Sequence, residues 1–309
     1  MRLYIAGISG MVGSAVATEA SNQGMEVIGK SSKTLDLTDR SLVFKEFSEV
    51  LPDALIICAA KVGGIGANFA SPVDFLSVNL QIQTNLLDAA HSAGIKRVLF
   101  LGSSCIYPKY APQPIIEASL LTGPLESTNE AYAIAKIAGL KLVQAYRQQY
   151  GKNWISAMPT NLYGPKDNFD LNNAHVLPAL INRMHFAKHQ NLPSITLWGD
   201  GTALREFLHV QDLARACMLL LNEYDSAVPI NIGSGHEISI LNLAKLIARV
   251  VGYEGLILFE NNDLNGTPRK LLDSTILLNK GWMPRVTLQQ GVASTYEWFL
   301  ENAQERKYK

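Results

Sequence analysis

Short, mainly apolar runs punctuate the first half of the chain: Leu3-Tyr4-Ile5-Ala6, Glu26 to Gly29, Ala54 to Cys58, Val98 to Leu101 and Trp154 to Met158. Runs of this length read as strands buried on both faces. Between them lie helical stretches. One runs from about Val73 to Ala93 and carries Asn79 and Asn85; another, Pro-free, runs from Asn129 to Gln149 with Gly139 as its only glycine. Strands and helices alternating in this order predict an α/β fold with a right-handed, doubly wound parallel sheet. After Gly164 the pattern changes. A polar loop, Lys166 to Asn173, precedes His175 and a helix through about Ala187, and shorter strands and helices follow to the C-terminus. This predicts a smaller mixed α/β lobe, with residues 1–164 in the sheet domain, 205–235 interleaved with it, and 165–204 and 236–309 in the lobe. Asn265 to Lys270 reads as a loop at the lobe's edge.

Composition narrows the partners. Lys+Arg and Asp+Glu balance at 27 each in 309 residues, which gives no basic character and points away from nucleic acid. The 3 cysteines, Cys58, Cys105 and Cys217, form no metal spacing and no even set, so no metal site and a reduced, cytoplasmic setting are expected. No uninterrupted apolar run approaches the ~20 residues of a membrane span, and no secretory core follows the N-terminus.

Gly7-Ile8-Ser9-Gly10-Met11-Val12-Gly13 lies between a strand and a helix. Glycines in this context let the backbone approach a pyrophosphate at the helix N-terminus, the signature of a Rossmann dinucleotide site. The second strand ends in Gly29-Lys30-Ser31-Ser32-Lys33 rather than in an acidic residue. Cations and hydroxyls there suit a 2′-phosphate, so NADP is expected over NAD. Asp36 either reaches the adenine edge or caps the next helix with Asp39. The small residues from Ala59 to Gly66 follow the third strand, at the sheet edge where ligands bind. Cys58, inside the apolar strand, reads as core.

The densest chemistry runs from Ser103 to Lys136. Tyr132 and Lys136, at i and i+4, share one helix face. An adjacent ammonium should lower the phenol's pKa from about 10 and make Tyr132 a proton donor to a carbonyl oxygen. Ser103, at the end of a strand, could hydrogen-bond the same oxygen, and Cys105 faces the same way if the extended geometry persists. The duller reading is a solvated Lys beside a half-buried Tyr. The glycine signature in the same chain favours the chemical one.

Gly7 to Gly13, Ser103 to Pro108, Tyr132 to Lys136 and Arg205 to Asp212 together resemble the extended short-chain dehydrogenase/reductases that act on nucleotide sugars. Narrower stretches, Ala60 to Ile65, Leu101 to Lys109, Pro159 to Pro165 and Gly266 to Asp273, resemble members that epimerise and reduce a GDP-4-keto-6-deoxy sugar. The likeness runs nearly end to end. It implies an NADPH-dependent oxidoreductase and isomerase that turns GDP-4-keto-6-deoxy-D-mannose into GDP-L-fucose, working as a homodimer joined through the two long helices. It also implies roles: Tyr132 as proton donor, Lys136 as ribose ligand, Ser103 as carbonyl partner, and Cys105 with His175 as the epimerising acid/base pair. NADP(H) contacts would fall on Gly7, Ile8, Ser9, Gly10, Met11, Val12, Gly13, Leu101, Gly102, Ser103, Ser104, Lys136, Pro159, Thr160, Asn161, Leu162 and His175. Substrate contacts would fall on Arg183, Trp198, Arg205, Asn265 and Lys270. The chain departs from the family at Ile8-Ser9, where a basic pair is common, so Lys30 or Lys33 would have to meet the phosphate; Asn265 stands where an Asp is common.

The chemistry is coherent without the resemblance. A C4 ketone acidifies the hydrogens on C3 and C5, and a thiol near pKa ~8.5, helped by a nearby cation or dipole, can remove them. Histidine, near pKa ~6.5, can return a proton to the opposite face. Epimerisation must precede reduction, because the alcohol no longer acidifies its neighbours. A nucleotide-sugar 4-reductase or 4-epimerase of the same fold would need neither Cys105 nor His175. A non-catalytic NADP sensor would have no use for Ser103, Tyr132 and Lys136. Duller roles remain for several residues: packing for Cys105, a helix cap for His175, core for Trp198, an ion pair with Glu206 or Asp212 for Arg205, and a structural place for His209.

Overall fold

The computed structural model describes residues 1–260 and 266–302. In chain order the first half contains β1 (Arg2–Ala6), α1 (Met11–Asn22), β2 (Glu26–Ile28), α2 (Arg40–Val50), β3 (Ala54–Ile57), α3 (Ile65–Ala70), α4 (Pro72–Ser92), β4 (Arg97–Leu101), α5 (Glu130–Tyr150) and β5 (Asn153–Pro159). There follow β6 (Asn161–Tyr163), α6 (Val176–His189), β7 (Ser194–Trp198), β8 (Leu204–His209), α7 (Val210–Glu223) and β9 (Ile230–Ile232). The chain continues through β10 (Glu237–Ser239), α8 (Ile240–Val251), β11 (Leu256–Glu260), β12 (Arg269–Lys270), α9 (Thr275–Leu278) and α10 (Leu288–Asn302).

Side chains alternate across each strand of the main sheet, and both faces are covered. Leu3, Ile5, Ile56, Leu99 and Ile155 pack under α1 and α7. Tyr4, Leu55, Ile57, Phe100 and Trp154 pack under α2, α4 and α5. Burial on two sides is why these strands read as unbroken apolar runs. The sheet is parallel throughout, in the order β2-β1-β3-β4-β5-β9. Strand order reverses between β1 and β3, and in open α/β sheets the crevice at such a switch point takes the ligand.

The second unit is organised around β8. It pairs antiparallel with β10, parallel with β12 along Leu204–Arg205, and parallel with β6 along Phe207–His209. Arg269–Lys270 is thus a strand inside a sheet rather than part of an edge loop, because β8 offers it an open ladder; Asn265 lies outside the described residues. A third core joins α6, α8 and α10 through Ile181, Met184, Leu243, Ile247 and Phe299. Meanwhile α7 and β9 return to the main sheet, and Leu277 and Trp282 pack into its core.

Fully buried Glu206 ties the units together. Its carboxylate accepts from Gly235 N at 2.7 Å and Leu272 N at 3.1 Å, and its carbonyl from Asn161 Nδ2 at 2.7 Å. Neighbouring residues of a strand face opposite ways, so anchoring Glu206 inward turns Arg205 toward the cleft. Among the described residues, no helix is long and apolar enough to cross a membrane.

Candidate active site

The glycine loop sits at the switch point. Gly7 has φ +85, a region that disfavours side chains, and a Cβ there would lie 2.8 Å from Ala59 N, across the gap between β1 and β3. A Cβ on Gly13 would fall 2.1 Å from the Gly7 carbonyl oxygen, so α1 closes onto the loop only without one. Gly10 caps α1 with no side-chain hydrogen bond, leaving the leading N–H groups for an anion. The loop therefore suits a dinucleotide pyrophosphate. At the adenosine end, Lys30 is ion-paired to Glu46, whose other oxygen takes the Tyr4 hydroxyl at 3.3 Å. Lys30 is thus held by a carboxylate on α2, 16 residues away, while Lys33 is exposed. Asp39 caps α2 through Leu42 N at 3.0 Å, and Asp36 accepts from Thr38, so both acids are engaged locally.

Ser103 ends β4 in extended geometry, but the chain then folds into a 3-10 turn, Ser104–Ile106. The expectation that Cys105 continues an extended strand is therefore corrected. The Ser103 Oγ accepts from Cys105 N at 3.2 Å, which turns the backbone and still leaves Cys105 half-buried beside Tyr132 and Ser103. Tyr132 and Lys136 share a face of α5, and the ammonium lies over the Tyr132 ring rather than bonding its hydroxyl. Lys136 donates to the Leu101 carbonyl at 2.9 Å, and its Nζ lies 5.9 Å from the Tyr132 ring centre. Burial pushes the Tyr132 phenol up, with the nearby Cys105 charge adding to the effect and the Ser103 hydroxyl opposing it. Burial also brings the Lys136 ammonium down to about 8. Desolvation outweighs the expected attraction, and in this state Tyr132 is a firmly protonated donor.

Cys105 meets residues from far along the chain. Lys270 Nζ lies 3.6 Å from its Sγ. Arg205 feels the charges of Cys105 and Glu126, though burial is what chiefly lowers its pKa. It forms no pair with Glu206 or Asp212: Glu206 binds backbone N–H groups, and Asp212 holds Arg215 and the 285–286 backbone. His175 is the N-cap residue of α6, but its side chain does not cap, which leaves the ring to the cleft. Surrounding protein, and then the Lys270 charge, hold its imidazole below the ordinary histidine value. Its backbone is fixed by close approach of two loops. Gly64 N donates to Asn173 O at 3.1 Å, and a Cβ on Gly64 would lie 2.6 Å from Ala174 O. The sequence reading missed Glu126 and the place of Lys270 against the thiol. Lys109, which ion-pairs with Glu126 at 3.7 Å, adjoined the Cys105 motif and was a signal for the first.

The remaining expected contacts fall elsewhere. Trp198 is 59% exposed at the end of β7, so it is not core, and its indole faces Gly66 of α3. Arg183 donates to Thr196 O at 2.9 Å, beside the strand that ends in Trp198. Thr160 Oγ1 and Asn161 Nδ2 both donate to the Glu206 carbonyl, which fixes the two side chains against β8. A cavity of about 530 Å³ opens between Lys61, Gly66, Phe75 and Asn173. The Cys105 cluster is not among its walls. His209 accepts from Gln211 N at the start of α7 and stacks edge-on against Tyr163, a structural place.

Comparison with known proteins places this geometry. The family model described as the NAD dependent epimerase/dehydratase family matches residues 3–233. GDP-L-fucose synthase 1 of Arabidopsis thaliana is 53% identical over 97% of this chain and 94% of its own length. A GDP-L-fucose synthetase from Naegleria fowleri, solved with NADP bound, superposes with TM-score 0.89 at 30% identity, covering 98% of this chain and 93% of that one. A GDP-6-OMe-4-keto-L-xylo-heptose reductase from C. jejuni superposes with TM-score 0.92 at 30% identity, covering 97% of each. With its switch-point glycine loop and its Ser103, Tyr132 and Lys136 cluster, the chain belongs to the NAD dependent epimerase/dehydratase family, whose nucleotide-sugar enzymes are extended short-chain dehydrogenase/reductases.

Proposed function

We propose that the chain carries out the GDP-L-fucose synthase reaction: 3,5-epimerisation of GDP-4-keto-6-deoxy-D-mannose followed by reduction at C4. The supporting observation is Cys105, held against Lys270 in the cleft that contains Ser103 and Tyr132. The two hydroxyls donate to the C4 oxygen, first stabilising the enolate and later protonating the alkoxide. Cys105 removes the hydrogen from C3 or C5, and His175 returns one to the opposite face. His175 is exposed, so its ring can exchange protons with water between rounds. NADPH, when bound, supplies the hydride at C4. The glycine loop would hold its pyrophosphate, Lys136 its ribose and Lys33 its 2′-phosphate, with Lys30 joining if Glu46 releases it. Exposed Trp198 would stack on the guanine, and Arg183 and Arg205 would meet the diphosphate.

The likeness to the C. jejuni reductase favours a second reading, 4-reduction alone. Incubation with GDP-4-keto-6-deoxy-D-mannose and NADPH in heavy water separates the two. Deuterium at C3 and C5 with NADPH consumed is expected; NADPH consumed without label leaves only the reductase. We further infer a homodimer joined through α4 and α5, whose surfaces expose Val73, Ile134 and Tyr150. Light scattering should give about twice the 33.8 kDa chain mass, and a monomer would exclude it. Free Cys58, Cys105 and Cys217 fit a reducing cytoplasm.

A further inference from the structure

Lys270 stands on a strand of two residues whose backbone is fixed independently of its side chain. Leu204 N donates to Pro268 O at 2.9 Å, Leu271 N to Gln113 Oε1 at 2.9 Å and Leu272 N to Glu206 Oε2 at 3.1 Å. Its neighbour Arg269 turns the other way and ion-pairs with Glu237 at 2.7 Å. Among the described residues Lys270 pairs with no carboxylate. Its ammonium instead reaches Cys105 Sγ at 3.6 Å, and its charge also acts on His175. An ammonium is a compact point charge, suited to a single sulfur rather than to a fork of oxygens.

We propose that Lys270 is the positioning residue for Cys105: its ammonium aims the sulfur into the cleft and stabilises the anionic sulfur that takes hydrogen from C3 or C5. This rests on the epimerase reading above. The proton balance closes. A proton passes from C3 or C5 to the thiolate, giving a thiol and an enolate; an imidazolium proton then passes to the other face of that carbon. The thiol loses its proton to water and the imidazole takes one from water before the second round. Among the described residues, Arg205 from β8 and Tyr132 from α5 also interact electrostatically with Cys105, with Glu126 offsetting Arg205. Arg205 already gives one nitrogen to the Leu204 carbonyl, whereas Lys270 touches the sulfur.

The test uses the free protein and needs neither sugar nor NADPH. Iodoacetamide labelling at pH 7 is followed by peptide mass spectrometry. Cys58 and Cys217 serve as internal references, because burial pushes the first thiol up to about 12 and the second well above the ordinary cysteine value. An ammonium 3.6 Å from the sulfur stabilises the anion that attacks iodoacetamide, so Lys270→Met should slow Cys105 labelling by about tenfold. Lys270→Arg should keep most of the rate, because it keeps a cation. Unchanged labelling in Lys270→Met overturns the proposal whatever sugar the enzyme uses. In the exchange assay Lys270→Met should lower kcat for deuterium uptake with little change in KM. A raised KM with kcat intact would make Lys270 a substrate ligand instead and would also overturn it.

Discussion

Lys136 is a cation that the folded protein holds at a cost, and replacing it with Met exposes that cost. The side chain is 3% exposed, with its Nζ 5.0 Å from the Phe100 ring centre and bonded to the Leu101 carbonyl. Burial brings it from 10.5 down to about 8, and the Cys58 charge opposes only part of this. At 1.36 kcal/mol per pH unit, keeping the ammonium charged in the fold at pH 7 costs about 3 kcal/mol. Methionine fills similar space without a charge, but it leaves the Leu101 carbonyl without its donor, a loss of about 1–3 kcal/mol. The net effect at pH 7 is between neutral and a stabilisation of about 2 kcal/mol. The pH dependence is sharper, because the carbonyl's loss cancels from it. Above about pH 8 the folded lysine is neutral while the unfolded one still binds a proton, so wild-type stability is fully regained above 10.5 and lost as pH falls through 8. The variant's stability relative to wild type should therefore drop by about 2 kcal/mol between pH 7 and pH 9.5. Urea titrations of both proteins at both pH values, with equal m, measure it. A difference that stays constant, or moves in the variant's favour as pH rises, refutes the buried-charge argument. Activity should be lost at every pH, and added NADPH should raise the Tm of wild type more than that of the variant.

Tyr132→Phe removes the protonated donor and should slow NADPH oxidation by about 10²–10⁴-fold while cofactor binding, followed by fluorescence titration, stays near wild type. Gly13→Ala sets a Cβ 2.1 Å from the Gly7 carbonyl oxygen; the loop must shift, so NADPH affinity should fall at least about tenfold and Tm should drop, as calorimetry and titration would register. Asp167 is pushed up to about 7 by burial, with one oxygen on Asn168 N at 2.7 Å and the other unpartnered among the described residues. A carboxyl raised in this way contributes stability that is present below 3.8 and lost as pH rises through about 7. Asp167→Asn should therefore gain on wild type by about 2.5 kcal/mol between pH 5 and pH 8; parallel pH profiles in chemical denaturation would contradict this.

What the residues alone determined was whatever depends on near neighbours. Apolar runs at strand length gave β1, β3, β4 and β5, because strands buried on both faces tolerate few polar positions. Gly7, Gly10 and Gly13 marked the loop at the switch point, because only glycine allows that backbone approach. Tyr132 and Lys136 shared a face because four residues make about one helical turn. Tertiary structure decided pairings and protonation. Lys30 goes to Glu46 on another helix, Lys136 to the Leu101 carbonyl, and Lys270 to Cys105 from 165 positions away. The phenol of Tyr132 moves up rather than down because desolvation counts atoms from every packed element, not the charge one turn away. Trp198 gave no local sign of being exposed, and its place follows from β7 ending at the lobe's surface opposite α3. Periodicity and glycine placement are short-range and leave their mark in the chain itself, whereas burial and ion pairing exist only once distant segments have met.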